Sequence, residues 1–181
     1  LFLCDQNLEH IKEEKIESTH NLLLEVLLAA KHEGESIIKD YEHLGHHNKE
    51  GICTALARSF ADIGDIVRGR DLYRGNNGKD KLEENLKTIF KQLYEELKKN
   101  NKNPAIKTHY KDGTGNYYKL RNDWWALNRQ EIWKAITCDA PDYAKYFRNA
   151  CTNDTTETDK KCRCATNYVP TYFDYVPQYL R

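Results

Sequence analysis

KLEENLKTIFKQLYEELKK, residues 81–99, carries apolar side chains at Leu82, Leu86, Ile89, Phe90, Leu93 and Leu97, three or four residues apart. With 3.6 residues per turn, that spacing lays a single stripe along one helix face. Asp80 and Glu83 stand at the spacing of a capping box, in which each satisfies a backbone donor at the helix start. The stretch is therefore a helix with a start signal and a buried face, running to about Lys99. Beyond it, Asn100 to Asn116 holds Pro104, Gly113 and Gly115 without any period and reads as loop.

Working outward, the same period recurs on both sides. Leu22, Leu23, Val26, Leu27, Ala30, Ile37 and Ile38 predict a helix over roughly 19–44, capped by Ser18 or Thr19 and weakened at Gly34. Ile52, Leu56, Phe60, Ile63 and Val67 predict a second over roughly 49–68, ending at Gly69. On that helix Arg58, Asp62, Asp65 and Arg68 fall three or four apart, an arrangement expected as a salt-bridged exposed edge. Downstream, Asn122 or Asp123 is a cap for a helix whose Trp125, Ile132, Trp133 and Ile136 share a face as far as Cys138. Trp124 and Trp125 lie about 100° apart on it, so they cannot serve the same core surface; packing of one against a neighbouring helix, or a sugar-stacking platform, are the two readings. Pro141 suits the first turn of a short helix over 141–150. Residues 152–167 are polar loop, 169–177 are aromatic and proline-punctuated, and 177–181 read as the opening of a further helix. No stretch alternates with period two, so the expected fold is all-α: one helical unit over residues 1–181, four or five helices in a bundle.

Lysine plus arginine and aspartate plus glutamate number 28 each, but their balance shifts along the chain. Residues 1–50 hold 5 basic against 11 acidic side chains, and residues 51–148 hold 19 against 13. The surplus concentrates in residues 98–121, where Lys98, Lys99, Lys102, Lys107, Lys111, Lys119 and Arg121 face only Asp112. Such a run is either a solvated linker or a docking surface that concentrates anions by long-range attraction. Tyr110, Tyr117 and Tyr118, interleaved with these lysines, could stack on sugar rings. Nucleic acid is not an expected partner, since the chain is neutral overall and carries no nucleic-acid-binding motif.

Six cysteines, Cys4, Cys53, Cys138, Cys151, Cys162 and Cys164, match no zinc module and point to an oxidising compartment. Six thiols allow 15 pairings and the spacing does not choose among them. Within KCRC, Cys162 and Cys164 are expected to reach separate partners. Neither end carries a signal peptide, and the longest apolar stretch, Leu22 to Ala30, is interrupted by Glu25 and falls short of the roughly 20 residues needed to span a bilayer. With no methionine, Leu1 first and an aromatic segment last, the chain reads as a piece of a larger one. No nucleophile elbow or Cys/His signature is present, and Gly64, Gly69 and Gly75 lack the lysine of a phosphate loop. His43, His46 and His47 project in different directions without a completing ligand and are expected as surface residues. Neither an enzyme nor a cofactor is expected. Asn153-Asp154-Thr155 fits a glycosylation acceptor and marks an exposed loop.

Three long strings in fixed order, RSFADIGDIVRGRDLYRGN at 58–76, DWWALNRQEIWKAITC at 123–138 and VPTYFDYVPQYLR at 169–181, resemble the Duffy-binding-like domains of the malarial erythrocyte membrane protein 1 adhesins, above all their alpha class. LFLCDQNLEH at the start, AAKHEGESI at 29–37, YFRNAC at 146–151 and KCRC extend the likeness over nearly the whole chain. The resemblance implies the second, central helical subdomain of such a domain, with the four-cysteine pattern Cys138, Cys151, Cys162 and Cys164. It also implies an upstream partner for Cys4, which would leave one of the other five cysteines over. Display outside the infected red cell follows from it, as do antigenic variation and rosetting on heparan sulfate, blood-group glycans or complement receptor. Its further implied partners are antibodies and the other subdomains of the same chain. On this reading Lys98, Lys99, Lys102, Lys107, Lys111 and Lys119 are the candidate glycan-binding residues; the alternative is a protein-receptor-binding or scaffold subdomain presenting variable loops.

Overall fold

The computed structural model describes residues 19–43, 49–71, 77–100 and 103–181, without the side chains of 49–50 and 77–80. Its helices are α1 (Thr19–His43), α2 (Lys49–Arg68), α3 (Asn77–Asn100), α4 (Pro104–His109) and α5 (Tyr118–Ile136), followed by 3-10 turns at Phe173–Tyr175 and Gln178–Leu180. Among the described residues there is no strand, only isolated bridges at Cys151–Thr156 and Lys160–Arg163. The all-α expectation holds. The side chain of Asp80, and with it the capping box, lies outside the described residues, as do Cys4, His46 and His47.

α2 is the axis of the bundle. Ile52, Cys53, Leu56, Ala57, Phe60, Ala61, Ile63 and Val67 are buried almost completely, which a two-sided helix requires. α1 runs antiparallel to it, with buried Ser59 donating to Glu33 at 2.8 Å. α5 closes the other side. Trp125 packs on Phe60 at 5.1 Å between ring centroids, and Trp133 meets the same ring edge-on at 5.2 Å. Trp124 turns the other way and meets Phe90 of α3 edge-on at 6.1 Å. The adjacent tryptophans thus fasten two different helices to α5, and both are buried.

Gly34 is no flaw in α1: a β-carbon there would collide with the Ile136 carbonyl, so glycine sets how closely α1 approaches the end of α5. Gly69, at φ +71, ends α2 in the left-handed conformation that a Cβ disfavours.

The supposed exposed edge of α2 is in part a correction. Arg58 is exposed, but Arg68 and Asp65 are 1% and 4% exposed. The aromatic segment 169–181 crosses that edge and covers them. Arg68 donates to Asp65 at 3.1 Å and to the Asp174 carbonyl, while its guanidinium lies over the Trp125 and Tyr175 rings. Asp174 accepts from Trp125 Nε1 at 2.9 Å and from Arg129 at 2.8 and 2.9 Å. Arg181 reaches back to Asp62 at 2.9 Å and to Asp65.

Three further expectations are corrected. Residues 104–109 of the expected loop form α4, because Asn103 Oδ1 caps the Ala105 N–H at 3.0 Å and Pro104 fits the first turn. α5 begins at Tyr118 rather than at Asn122 or Asp123; Asp123 instead accepts the Tyr110 hydroxyl at 2.7 Å. Residues 141–150 form turns, not a helix. Their backbone groups bond across the chain instead: Tyr146 N–H to Thr158 Oγ1 at 2.9 Å, Ala150 N–H to the Thr156 carbonyl at 3.1 Å, and the Ala144 carbonyl accepts from Cys162 at 3.0 Å. The chain's last ordered element is the 3-10 turn Gln178–Leu180.

Disulfides pin this irregular region. Cys53 of α2 bonds Cys162, and Cys151 bonds Cys164, so the two KCRC cysteines do reach separate partners. Cys138 is free and exposed.

Candidate receptor-binding surface

The lysine-rich stretch spans the end of α3, all of α4 and the entry to α5. Tyr94 holds these pieces together: its hydroxyl donates to the Lys107 carbonyl at 2.9 Å, its ring packs on Tyr117 at 5.7 Å, and the Lys98 ammonium sits 4.9 Å above it. The tie matters because α4 has only six residues and no buried side chain of its own.

Tyr117 has to bend to fit. It adopts φ 54, unusual for a residue with a Cβ, and Asp112 fixes it there by accepting its N–H. The same carboxylate accepts from the Thr114 N–H and hydroxyl, each at 2.7 Å. Slight burial pushes the Asp112 carboxyl up, but the hydrogen bonds from Thr114 and Tyr117 outweigh it and leave it below its ordinary value. The lone acid of the stretch is thus turned inward onto its own loop.

Lys99, Lys107, Lys111 and Lys119 are exposed, and Lys98 is partly so. Lys102 lies outside the described residues. Lys98 pairs with Glu95 at 2.8 Å, a hydrogen bond that raises its already high pKa. Lys119 approaches His109 Nδ1 at 3.1 Å, and His109 Nε2 stands 3.9 Å from Asp123. Tyr94, His109 and their contacts therefore bring Lys98, Lys107 and Lys119 to one end of the bundle.

The tyrosines divide. Tyr117 is buried against Tyr94 and is unavailable as a sugar platform. Burial, with Glu95 next, holds its hydroxyl protonated above the usual range. Tyr110 is half-buried, its pKa raised first by burial and then by its bond to Asp123. Tyr118 is 42% exposed and alone of the three presents its ring openly. Sequence reading missed Tyr94 as the anchor; it stands beside the Leu93 stripe and within one turn of Leu97 and Lys98, where a polar-tipped aromatic can join core to surface. Among the described residues no cluster of His, Cys, Asp and Glu has the form of a metal site, and no helix is long and apolar enough to cross a membrane.

The described residues thus form an all-helical bundle stapled by two disulfides, with polar loops and exposed lysines at one end. The chain matches the Duffy binding domain model over residues 1–181 and belongs to that family, as a Duffy-binding-like domain of the PfEMP1 type. It is similar to the NTS-DBL1(alpha-1) domain of Plasmodium falciparum membrane protein 1 from the varO strain, with TM-score 0.82 and 48% identity over 98% of this chain and 39% of that one. It is similar also to the ICAM-1-binding IT4var13 DBLbeta domain, with TM-score 0.70 and 34% identity over 99% of this chain and 39% of the other. A more distant relative is the Duffy receptor gamma form of Plasmodium knowlesi, 25% identical over 122 residues, 67% of this chain and 9% of the receptor. The chain thus spans well under half of the proteins it resembles.

Proposed function

We propose that this chain is a non-enzymatic adhesion module of a variant surface antigen, displayed on the extracellular face of the infected erythrocyte, and that it binds anionic or blood-group glycans of host red cells. On this reading it is the central helical subdomain of a larger domain, and residues 177–181 open the next helix. Lys98, Lys99, Lys102, Lys107, Lys111 and Lys119 carry the contact.

One observation carries the reading: Tyr94 gathers the ends of α3, α4 and α5, so that exposed lysines share one end of the bundle while Asp112 is occupied within its loop. Arg121, the remaining cation of the stretch, takes no part because it is buried. Ammonium groups held in this way raise local anion concentration, and their effect fades beyond a screening length of about 8 Å at physiological salt.

The test is binding of the oxidised chain to heparan sulfates and blood-group oligosaccharides at low and high salt, beside a variant with Lys98, Lys99, Lys102, Lys107 and Lys111 changed to Ser. Steep salt dependence that disappears with the lysines supports the surface. A folded chain that binds none of these glycans overturns it.

A second reading is favoured by one relative: the IT4var13 DBLbeta domain is known bound to ICAM-1. In that case this chain contacts a protein receptor or serves as scaffold for variable loops, and its binding survives high salt and glycan removal.

A further inference from the structure

Lys119 and Asp123 stand one turn apart near the start of α5, and both meet the ring of His109, the last residue of α4. Lys119 Nζ lies 3.1 Å from Nδ1, and Asp123 Oδ2 lies 3.9 Å from Nε2. An ammonium has donors and no acceptor, so Nδ1 accepts from Lys119. The ring in this arrangement is therefore neutral, with its proton on Nε2, the nitrogen on the side of the carboxylate. Both His109 and Asp123 are nearly half exposed, open to solvent protons and to a ligand.

Proton uptake at Nδ1 reverses these contacts. Nδ1 becomes a donor, so Lys119 loses its acceptor and faces a like charge, while Asp123 gains an imidazolium to pair with. Asp123 Oδ2 already accepts the Tyr110 hydroxyl at 2.7 Å, and the Tyr110 ring meets the imidazole edge-on at 4.7 Å. The carboxylate is thus held beside the ring before the ring is charged. The groups facing His109 are Lys119 and Asp123 from α5 and Tyr110 from the loop after α4. The other cation of α4 is Lys107, and α3 meets α4 through the neutral Tyr94 hydroxyl on the Lys107 carbonyl.

We propose that His109 is a proton-gated member of the anion-binding end. Neutral, it holds Lys119 against the fold. Protonated, it turns to Asp123, releases the Lys119 ammonium and adds a charge of its own, so the chain binds a sulfated polyanion more tightly in mild acid. Histidine suits this role because its ordinary charge change falls between about pH 5 and about pH 8. The gate rests on the lysine surface proposed above and gives that surface a regulation. It differs from a general rise in positive charge, since it depends on one ring and its two partners on α5.

The test is calorimetric titration of the whole 181-residue chain with inositol hexasulfate, whose sulfates keep their charge, at about pH 7.5 and about pH 5.5 in the same low salt. Binding about threefold to tenfold tighter at the lower pH is expected, the size of one or two exposed ion pairs. His109→Gln still offers Lys119 an acceptor but cannot titrate, so its two affinities should come together. His32→Gln, which removes an exposed imidazole facing Glu35 on α1, should keep the native ratio. Without any ligand, NMR of the ring nitrogens should place the His109 proton on Nε2 at the higher pH, and the Lys119 side-chain signals should move in step with protonation of the ring. Equal affinity at both pH values, a native ratio in His109→Gln, or Lys119 signals indifferent to the ring would each overturn the gate and leave the lysine surface standing. Binding at neither pH would overturn the lysine surface, and with it the gain in affinity.

Discussion

Arg121 and Glu83 meet through two parallel hydrogen bonds, Nη1 to Oε1 at 2.9 Å and Nη2 to Oε2 at 2.8 Å, with the arginine wholly buried. The same guanidinium donates to the Val67 carbonyl at 2.6 Å and the Ile66 carbonyl at 3.1 Å, so it closes the open end of α2 while tying α3 to α5. Lysine, a point charge with no planar fork, cannot reproduce that set. Removing one partner of a buried pair leaves the other desolvated and costs about 3–5 kcal/mol. Arg121→Leu should therefore lower the urea midpoint severely, and Arg121→Lys should recover only part of the loss. A loss of unfolding free energy below about 1 kcal/mol for the leucine variant would mean that the pair is not what joins α3 to the bundle.

Gly34 supplies a test with competing signs. Glycine to alanine inside an exposed helix is worth about 1 kcal/mol in favour of alanine. Here the new methyl would press on the Ile136 carbonyl, a backbone atom that cannot swing aside. Overpacking of this kind costs about 1–3 kcal/mol, so the clash wins. Gly34→Ala should be destabilised in thermal unfolding, whereas Gly113→Ala, with open space around it, should be nearly neutral.

What the sequence revealed and what it hid follow from the range of the forces involved. α1, α2 and α3 were legible from apolar spacing, which acts locally, and their observed bounds lie close to the expected ones. The burial of Arg68 and Asp65 was not, because it depends on a segment about a hundred residues downstream folding over them. Residues 141–150 misled for a related reason. Pro141 offers a helix start, yet the Cys53–Cys162 and Cys151–Cys164 bonds bring 156–162 alongside, and cross-chain hydrogen bonds replace the helical ones. Of the candidate surface, the lysines were visible as a charge run, but Tyr94 as their organiser and the burial of Tyr117 were not.

Acid titration should expose the cluster under the C-terminal segment. Burial raises the carboxyls of Asp62 and Asp65 above their ordinary 3.8, and pairing with Arg181 offsets this only in part. The folded chain therefore holds these protons more tightly than the unfolded one. Stability contributed by the pair is greatest below the unfolded value and falls as pH rises through the raised folded values. Asp62→Asn cannot titrate, so its stability relative to the native chain should improve as pH climbs from about 3.8 through the mildly acidic range. Urea midpoints of both proteins across that range check this; a constant difference would remove the titration from the account.

The disulfides should differ in worth because they close loops of unlike length. Cys53–Cys162 spans 109 residues and Cys151–Cys164 spans 13. By loop-closure entropy the first restrains the unfolded chain by about 5 kcal/mol and the second by about 3 kcal/mol. The longer bond also joins two fully buried residues, Cys53 near the start of α2 and Cys162 of the irregular region, so its removal opens space in the core as well. Paired alanine replacements should therefore rank with Cys53→Ala/Cys162→Ala the more damaging in denaturant midpoint. Cys138, exposed and unbonded, should accept an alkylating reagent in the native state with no shift of that midpoint, located by peptide mass mapping. If Cys138 resists labelling until the chain unfolds, the thiol is engaged elsewhere, and the two-bond account of the described residues is incomplete.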